Sequence, residues 1–472
     1  MSYSSVKIDQ KFVDKYNSGG PYYVCHPTVG QWSGDYASQQ FSEALKSEFG
    51  GKAMRPMYLY AHFPFCPVLC YYCHCHVVIT KKQSRTQSFL NYLFKEIDTL
   101  CEFFDKNSII PNIREIHLGG GSPSVMNAEE MGQLVKNLAK LVDYKSLDEF
   151  SLEIDVRTVD VDRVLAYADL GIDRISFGIQ DYDLKVQEAI NRVQPIEHIE
   201  KFLAPNIRDK FKSINFDLIF GLPNQTRESF KKTIETTIRL SPDRICLYHY
   251  NHTPGIYQHQ KLIADEDVPV EQDKSMINVE AIQSLEEGGY VRIGLDHFAK
   301  QGDDLAKAVQ DRNLHRSFIG YTAGRTHDLI GIGPSAISGF GGHYFQSIYS
   351  LDKYQEAIDA GVFPILRGTR QTKDQMIRED VILKIISNFH LEFREIESRY
   401  NIEFNVYFCK ELALLEGLIV DGAVELTDRF LEVTPLGRFC VRYVCMTFDQ
   451  AYQEGRKHVP TSRKDDVLVE VD

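Results

Sequence analysis

The sequence predicts an α/β protein built from successive βα units, arranged as a complete or partial (β/α) barrel. From about residue 57 onward, short β-branched or aromatic runs alternate with longer segments of helical periodicity, which is typical of βα units around a parallel sheet. Glycine or proline punctuates the ends of these segments, as in LGGGSP and FGLP. A doubly wound open sheet is the alternative architecture, because it shows the same alternation.

Six strands are expected, each followed by a helical segment. The candidates are MYLYAHF (57–63), IREIHL (113–118), EFSLEI (149–154), RISFGI (174–179), SINFDLIF (213–220) and RICLYHY (244–250). A seventh strand is expected at YVRIGLDHF (290–298). In either architecture, functional side chains gather where the strands end and the loops begin. Those places carry cysteine, glycine or polar residues here, as in FPFCPVLCYYC, GGGSPS, EID and IQD.

The 472 residues exceed the size of one ordinary core, and we expect three regions: an N-terminal arm (1–54), the barrel (55–345) and a smaller C-terminal domain (346–472). Two helical patterns followed by the hairpin-like AVELTDRFLEVTPLG make the last region mainly helical or winged-helix-like. A winged helix raises the possibility of nucleic-acid binding, but the acidic chain favours a packing or substrate-covering domain. The tail TSRKDDVLVEVD (461–472) is expected to fray.

The charge balance bears on the kind of partner. The chain carries 53 Lys and Arg against 66 Asp and Glu, a net charge of −13, which argues against nucleic acid and anionic membrane surfaces as partners. An acidic substrate would need a local basic pocket. The first residues lack the order of a signal peptide, and no run of about 18 apolar residues occurs. We therefore expect a cytoplasmic protein without a membrane span.

Four of the ten cysteines lie within ten residues of one another, in the order Cys66-Pro-Val-Leu-Cys70-Tyr-Tyr-Cys73-His-Cys75. Structural zinc sites usually take two separated ligand pairs. Three thiolates from one loop can instead ligate three irons of a [4Fe–4S] cluster and leave the fourth iron open. The alternatives are a zinc site that recruits His74 or His76, and four unrelated buried thiols. The other six cysteines, which are scattered singly, are expected to be inert.

The C-x3-C-x2-C spacing directly after the first strand resembles that of radical S-adenosylmethionine (SAM) enzymes, in which the open iron binds SAM and cleaves it to a 5′-deoxyadenosyl radical. The flanking segments YAHFPFC, HLGGGSPS, GIDRISFGIQDYD, NFDLIFGLPNQT, GLDHFAK, LHRSF-x-GYT and CMTFD resemble the oxygen-independent coproporphyrinogen III oxidases. The matches run in order from KYNSGGP at residue 15 to Cys445, and so include the C-terminal segment that separates this family from shorter relatives thought to be heme chaperones. The resemblance implies a partial TIM-like radical SAM barrel, a [4Fe–4S] cluster and two SAM molecules per chain.

The resemblance also implies a role for individual residues. Cys66, Cys70 and Cys73 would ligate the cluster, whereas Cys75 matches a fourth cysteine that does not. Cys75 and Phe318, the latter in LHRSF, are the implied catalytic residues. Residues implied to bind the first SAM are Tyr60, Gly120, Gly121, Ser122, Glu153 and Ile337, and those implied to bind the second are Gln180, Arg192, Asp217 and Asn251. Tyr72, in the cysteine loop, is a further cofactor-binding candidate.

Each of these candidates also has an ordinary structural interpretation. A triple glycine is usually only a turn, although after this strand its N–H groups could meet the carboxylate of SAM. Tyr60 and Ile337 could be core residues, Glu153 a solvated carboxylate and Cys75 a bystander thiol. Arg192 could fork onto a carboxylate or be a surface charge on a helix.

Four positions depart from the family pattern. Tyr72 stands where Phe is common, and Asn251 replaces an alanine. Ile319 replaces a glutamine near the radical centre, so an amide donor and acceptor is lost. Tyr22 stands where the N-terminal arm often carries an arginine, so a cation is lost from an arm thought to cover a tetra-acid substrate.

The activity implied by the resemblance is the oxidative decarboxylation of coproporphyrinogen III to protoporphyrinogen IX without oxygen, in heme biosynthesis. The implied partners are a tetrapyrrole substrate and an electron donor such as flavodoxin or ferredoxin, acting on a monomer. The departures favour one alternative, a radical SAM methyltransferase or tetrapyrrole-modifying enzyme that uses the second SAM. A heme-binding protein with the same fold and no turnover is a further alternative, against which the intact cluster loop argues.

Overall fold

The structure is a computed structural model that describes residues 8, 10–16, 20–324, 328–455 and 469–471. Its strands are β1 (Met57–Phe63), β2 (Phe65–Cys66), β3 (Val77–Ile79), β4 (Ile113–Gly120), β5 (Glu149–Ile154), β6 (Arg174–Gln180), β7 (Ser213–Phe220), β8 (Arg244–His249), β9 (Tyr290–Ile293), β10 (His297–Lys300), β11 (Leu314–Ser317), β12 (Gly320–Ala323), β13 (Asp328–Ile332), β14 (Ile337–Phe340), β15 (His343–Ser347), β16 (Ile365–Arg370), β17 (His390–Glu392), β18 (Val424–Leu426), β19 (Phe430–Val433) and β20 (Val469–Val471).

Its α-helices are α1 (Gln10–Lys15), α2 (Ser38–Phe49), α3 (Gln83–Lys106), α4 (Ala128–Leu138), α5 (Val161–Asp169), α6 (Leu184–Ala189), α7 (Ile196–Lys201), α8 (Pro205–Arg208), α9 (Arg227–Leu240), α10 (Glu271–Glu287), α11 (Asp304–Gln310), α12 (Leu351–Asp359), α13 (Lys373–Asn388), α14 (Phe393–Tyr400), α15 (Phe404–Tyr407), α16 (Cys409–Leu414), α17 (Glu416–Val420), α18 (Val441–Phe448) and α19 (Gln450–Gln453). None of these helices is both long and apolar enough to cross a bilayer.

A twelve-stranded sheet in the order β16-β15-β14-β13-β1-β4-β5-β6-β7-β8-β10-β9 forms the body of the protein. The seven strands from β13 to β8 are parallel, and antiparallel strands extend both edges. Within the described residues, the edge strands β16 and β9 are not paired with each other. The predicted α/β fold with a partial barrel is confirmed.

The six predicted strands are β1 and β4 to β8, each within two residues of its expected bounds. The seventh prediction, one strand over residues 290–298, is wrong. These residues form the antiparallel hairpin β9–β10, which turns at Gly294, where φ is 54° and favours glycine. The seventh parallel strand is β13, which follows much later in the chain and pairs with β1.

The buried apolar clusters do not divide the chain at the expected boundaries of the three regions. Phe41, Leu45 and Phe49 of α2, in the expected arm, belong to the same buried core as β1 and β4. The expected boundary after residue 345 falls inside β15, and the large sheet continues to Arg370. A separate buried cluster comprises mainly residues from Ile377 onward. We propose that the C-terminal domain begins between β16 and α13.

The C-terminal domain combines α13 to α19 with a small antiparallel sheet in the order β17-β19-β18. The predicted hairpin is present as β18 and β19. Within the tail, residues 469–471 form β20, which pairs in parallel with β3, so the expectation of fraying is wrong there. The rest of that expectation, residues 461–468 and 472, lies outside the described residues.

Candidate functional site

Of the four clustered cysteines, Cys66 ends β2 and the other three lie between β2 and β3, beyond the carboxyl end of β1. Cys66, Cys70, Cys73 and Cys75 all line one cavity of about 330 Å³, which we call the cysteine cavity. The amide of Asn191 donates to the Leu69 carbonyl (2.8 Å) and fixes the first half of the loop. The barrel therefore gathers the four thiols at the edge where the parallel strands end, as the sequence predicted.

An ion-pair network lies directly beside Cys70. The Arg157 Nη2 and Arg192 Nη1 atoms lie 3.3 and 3.6 Å from the Cys70 sulfur, and both guanidiniums bind Asp155, at 2.6 and 3.1 Å. Burial opposes ionisation of Asp155, but Arg192 and Arg157 outweigh it and lower the pKa of this carboxyl. A buried carboxylate thus balances the buried Arg192 and the partly buried Arg157 next to a predicted cluster ligand.

Arg192 is one of the predicted SAM residues and is buried, with 6% of its surface exposed. It is not a surface charge on a helix, because α6 ends before it. The guanidinium forks onto the Gly178 carbonyl through Nε (3.1 Å) and Nη2 (2.6 Å). Within the protein the guanidinium forks onto a carbonyl group and contacts only one oxygen of Asp155, so a fork onto a carboxylate stays a prediction.

Gln180 and Asp217 line the cysteine cavity beside Arg192. The Oε1 atom of Gln180 is buried and has no hydrogen-bond partner among the described residues. Asp217 accepts hydrogen bonds from Ser176 (3.0 Å) and Asn215 (2.9 Å), and burial, reinforced by the charge of Glu153, raises its pKa. An unsatisfied acceptor beside fixed polar groups is what a cavity for a polar ligand would offer.

The glycine segment after β4 differs from the expectation in its hydrogen bonding. The N–H of Gly120 donates to Glu153 (3.1 Å), and those of Gly121 and Ser122 donate to the Phe63 (2.8 Å) and Phe65 (2.9 Å) carbonyls. These three N–H groups are therefore not free to meet a carboxylate, and the prediction is wrong on this point. Glycine is required because φ is 120° at Gly120 and a Cβ on Gly121 would lie 2.7 Å from the Pro64 carbonyl oxygen.

Glu153 is held at the end of β5 by two donors, because His117 Nε2 also donates to it (3.0 Å). The other nitrogen of His117 lies 2.8 Å from Ser151 Oγ, whose hydrogen points to the Ile116 carbonyl. Burial lowers the pKa of His117, but the hydrogen bond and charge of Glu153 outweigh it and raise that pKa. Glu153 is thus a fixed acceptor.

A second cavity of about 450 Å³ fills the inside of the barrel, and we call it the barrel cavity. It shares the lining residues Glu153, Ser176, Asp217 and Tyr248 with the cysteine cavity. Tyr60 and Ile337 line it as well, and the Tyr60 hydroxyl lies 3.0 Å from His62 Nδ1. The two cavities therefore adjoin along one wall of polar side chains.

Phe318 and Ile319 form the two-residue turn of the hairpin β11–β12 and both line the barrel cavity. The Phe318 ring packs edge-on against Trp32 and Tyr344, with centroids 6.1 and 5.9 Å away. Ile319 presents an aliphatic side chain at the position where the resemblance implies an amide. The hairpin tip is therefore one wall of the barrel cavity.

Arg316, two residues before that turn, lines the barrel cavity, and 6% of its side chain is exposed. Its two terminal nitrogens bind the two oxygens of Asp296, each at 3.0 Å. Burial opposes ionisation of Asp296, but Arg316 outweighs it and lowers the pKa of the carboxyl. The Nε atom of Arg316 is buried without a hydrogen-bond partner among the described residues, and the guanidinium lies over the Tyr321 ring, 4.7 Å from its centroid.

The remaining predicted residues are placed as follows. Tyr72 lines the cysteine cavity, and the Cys75 N–H donates to the Cys73 sulfur (3.4 Å). Asn251 is exposed and lines neither cavity, although its carbonyl faces the cysteine loop. At Tyr22, the Arg442 guanidinium lies over the ring, 4.8 Å from its centroid.

The donor set fits an iron–sulfur cluster better than a zinc ion. His74 stacks on Tyr257, with ring centroids 4.3 Å apart, and its Nε2 contacts Gln260 (2.7 Å). His76 is buried and does not line the cysteine cavity. In the described part of the chain, no three His, Cys, Asp or Glu side chains are arranged to hold a single ion. Three soft thiols beside a polar cavity suit a cluster with one open iron.

Several residues of the site escaped the sequence reasoning. Asp155 and Arg157 follow the end of β5. The polar EID segment at this strand end already pointed to Asp155. His117 on β4 and Tyr248 on β8 point into the barrel. Side chains alternate between the two faces of a strand, so these residues can be recognised only once the inner face is known. Cys246, expected to be inert, lines the barrel cavity.

Comparison with known proteins agrees with this geometry. Residues 60–237 match the model of the radical SAM superfamily. The oxygen-independent coproporphyrinogen III oxidase of Escherichia coli K12 is 37% identical over 449 residues, 95% of this chain and 96% of that protein. The Synechocystis protein of the same name is 34% identical over 466 residues, 98% and 99% of the two chains. The solved structure of coproporphyrinogen III oxidase (HemN) from Escherichia coli matches with a TM-score of 0.87 and 36% identity, over 94% of this chain and 99% of that one. The chain therefore belongs to the oxygen-independent coproporphyrinogen III oxidase family of radical SAM enzymes.

Proposed function

We propose that the protein converts coproporphyrinogen III to protoporphyrinogen IX by oxygen-independent oxidative decarboxylation, in heme biosynthesis. The observation that carries this proposal is the shared wall of Glu153, Ser176, Asp217 and Tyr248 between the cysteine cavity and the barrel cavity. A substrate in the barrel would meet chemistry generated at the thiols without crossing solvent.

The family uses a [4Fe–4S] cluster and SAM, and the chain offers residues for both. When bound, these groups supply one-electron chemistry that removes a hydrogen atom from a propionate side chain. Cys66, Cys70 and Cys73 would hold the cluster, while Asp155, Arg157 and Arg192 fix the charge beside it. The protein contributes positioning, shielding and electrostatics.

The polar wall suggests how SAM would be oriented. Because the N–H groups of Gly120 and Gly121 are engaged, this segment can offer carbonyl oxygens, which suit the ammonium group of SAM better than its carboxylate. Glu153 would accept from a hydroxyl or ammonium group, with Tyr60 and Ile337 nearby in the barrel cavity. Gln180, Arg192 and Asp217 would hold a second SAM, with Tyr72 beside them. Asn251 would take part only through a rearrangement, because it lines neither cavity.

A substrate with four carboxylates needs local cations in a chain of net charge −13. Arg316 lines the barrel cavity, where Asp296 binds both of its terminal nitrogens. Tyr22 lacks the charge expected in the arm, but Arg442 covers its ring and also donates to the Gly20 carbonyl (2.7 Å). The C-terminal domain would thus supply the cation that the arm has lost.

Two residues would act closest to the reaction. Phe318 would form the apolar wall against which the tetrapyrrole lies, braced by Trp32 and Tyr344. Cys75 would adjust the environment of Cys73 through its N–H. Flavodoxin or ferredoxin would supply electrons to a monomeric enzyme, and the clustered thiols suit a reducing, cytoplasmic compartment.

Anaerobic reconstitution with iron and sulfide tests this proposal. We expect about four irons per chain and formation of deoxyadenosine that depends on coproporphyrinogen III. The aliphatic Ile319 favours the alternative of a methyltransferase or another tetrapyrrole-modifying enzyme, for which S-adenosylhomocysteine would accumulate instead. Zinc in place of iron would contradict both.

A further inference from the structure

We propose that His74, Tyr257, His259 and Gln260 form a latch that holds the second half of the cysteine loop and controls how firmly the cluster is retained. The four residues, called the cluster latch below, connect the loop with the segment 251–262 that follows β8. This inference rests on the proposed cluster but not on the identity of the substrate.

The first contact of the cluster latch is made by His259. Its Nε2 lies 2.7 Å from the carbonyl oxygen of Cys73, a predicted cluster ligand. A carbonyl can only accept, so Nε2 carries the hydrogen and donates it. The backbone of the third ligand is thereby tied to a side chain 186 residues away in the sequence.

The second contact is made by Gln260, whose side chain is completely buried. Its Oε1 accepts from the Thr253 N–H (2.6 Å), so its NH₂ group faces the cysteine loop. This group lies 2.7 Å from His74 Nε2 and 3.3 Å from the Asn251 carbonyl. His74 Nε2 also lies 3.1 Å from the Asn251 carbonyl, so it is tied to this segment whether it accepts from Gln260 or donates to that carbonyl.

The third contact is a ring stack that fixes the orientation of His74. The His74 and Tyr257 rings are nearly parallel, with an interplanar angle of 10° and a centroid distance of 4.3 Å. The ring stack and the contacts of Nε2 with Gln260 and Asn251 hold the same imidazole from two directions. A side chain held in this way keeps its backbone, between Cys73 and Cys75, in one position.

The cluster latch complements the backbone hydrogen bonds of the loop. The Tyr71 N–H donates to the Ile190 carbonyl (3.0 Å) and the Cys73 N–H to the Cys70 carbonyl (3.2 Å), and these bonds fix the first half. The latch adds side-chain contacts to Cys73 and His74. Since its segment begins just after Tyr248, which lines both cavities, displacement of the latch would also disturb the shared wall.

Iron release from the reconstituted protein tests this inference. We expect His259→Ala to release iron to a chelator about fivefold faster than the unchanged protein, the factor that corresponds to the loss of one hydrogen bond worth about 1 kcal/mol. His259→Gln should restore slow release, because its amide can reach the position of Nε2. Tyr257→Leu should also accelerate release, and it provides a second variant if His259→Ala does not fold.

His252→Ala is the matched control. His252 lies in the same segment but bonds to Asp265 (2.9 Å) and Tyr250 (2.7 Å) rather than to the cysteine loop, so its loss should leave iron release unchanged. Equal release from His259→Ala and the unchanged protein, failure of His259→Gln to restore slow release, or equal acceleration in His252→Ala would overturn the inference. Because the assay needs no substrate, a protein that releases iron as expected but makes no protoporphyrinogen would refute only the proposed function.

Discussion

Replacing Asp155 by asparagine tests the charge balance beside the cysteine loop. Arg157 Nη2 lies 2.6 Å from Asp155 Oδ2 and 3.3 Å from the Cys70 sulfur, so the carboxylate lies within about 6 Å of that sulfur. The substitution removes one negative charge there and keeps the size of the side chain. Less negative charge near the cluster stabilises its reduced form, so the midpoint potential should rise.

The size of the rise follows from Coulomb's law. One charge at about 6 Å, with an effective dielectric constant of about 20, contributes ~3 kcal/mol, which is ~120 mV for a one-electron couple. Because the added electron spreads over a cluster that extends beyond the sulfur, we expect a rise of about 50 to 120 mV.

An anaerobic redox titration followed by electron paramagnetic resonance measures this shift. Asp169→Asn, which removes an exposed carboxylate on α5, is the control and should leave the potential unchanged. A fall in potential, or a change below about 20 mV in Asp155→Asn, would refute the assigned position of the cluster beside Cys70.

Three further predictions concern single ionisable side chains. Burial raises the pKa of Glu96 to about 7, although Tyr354 and Gly333 donate hydrogen bonds to it. The neutral form of Glu96 therefore favours the folded state. This contribution to stability is complete below the ordinary pKa of 4.5 and is lost as the pH rises toward 7. Glu96→Gln should therefore raise the unfolding temperature at pH 8 and leave it unchanged at pH 4, and equal effects at both would contradict this. Arg316→Met removes the arginine partner of the buried Asp296 and leaves only His297 Nδ1 beside it (2.7 Å), and should lower the free energy of unfolding by about 3–5 kcal/mol. Adding Asp296→Asn should recover part of the loss in a urea titration. Glu153→Gln removes a charged acceptor and should weaken SAM binding at least tenfold, as expected for ~1.5–3 kcal/mol, measured by anaerobic equilibrium dialysis; an unchanged dissociation constant would exclude Glu153 as a SAM contact.

The fold could be predicted where a strand or helix shows its own hydrophobic periodicity and is bounded by glycine or proline nearby in the sequence. The strands β1 and β4 to β8 were recognisable because buried parallel strands are short apolar runs bounded by glycine or proline. The strand β13 escaped, because its partner β1 lies far earlier in the chain and no local pattern reports that pairing. The hairpin β9–β10 was misread as one strand, because a single glycine turn hardly interrupts its hydrophobic pattern.

The site was predictable to a similar extent. The spacing of the cysteines located the cysteine cavity, and the resemblance located Gln180, Arg192 and Asp217 at its wall. The partners of these residues could not be predicted, because the ion pairs of Asp155 and the contacts of His259 join segments that only folding brings together. The direction of the N–H groups of Gly120 and Gly121 likewise depends on the neighbouring strand ends.

In the proposed reaction, a radical generated beside the cysteine loop would reach the propionates of coproporphyrinogen III in the barrel cavity. Mass spectrometry of the tetrapyrrole after anaerobic incubation of the reconstituted protein with reductant, SAM and coproporphyrinogen III tests it most directly. We predict protoporphyrinogen IX, with two propionates converted to vinyl groups and deoxyadenosine formed alongside. An unchanged tetrapyrrole with a fully loaded cluster, or a methylated tetrapyrrole with S-adenosylhomocysteine, would contradict this proposal.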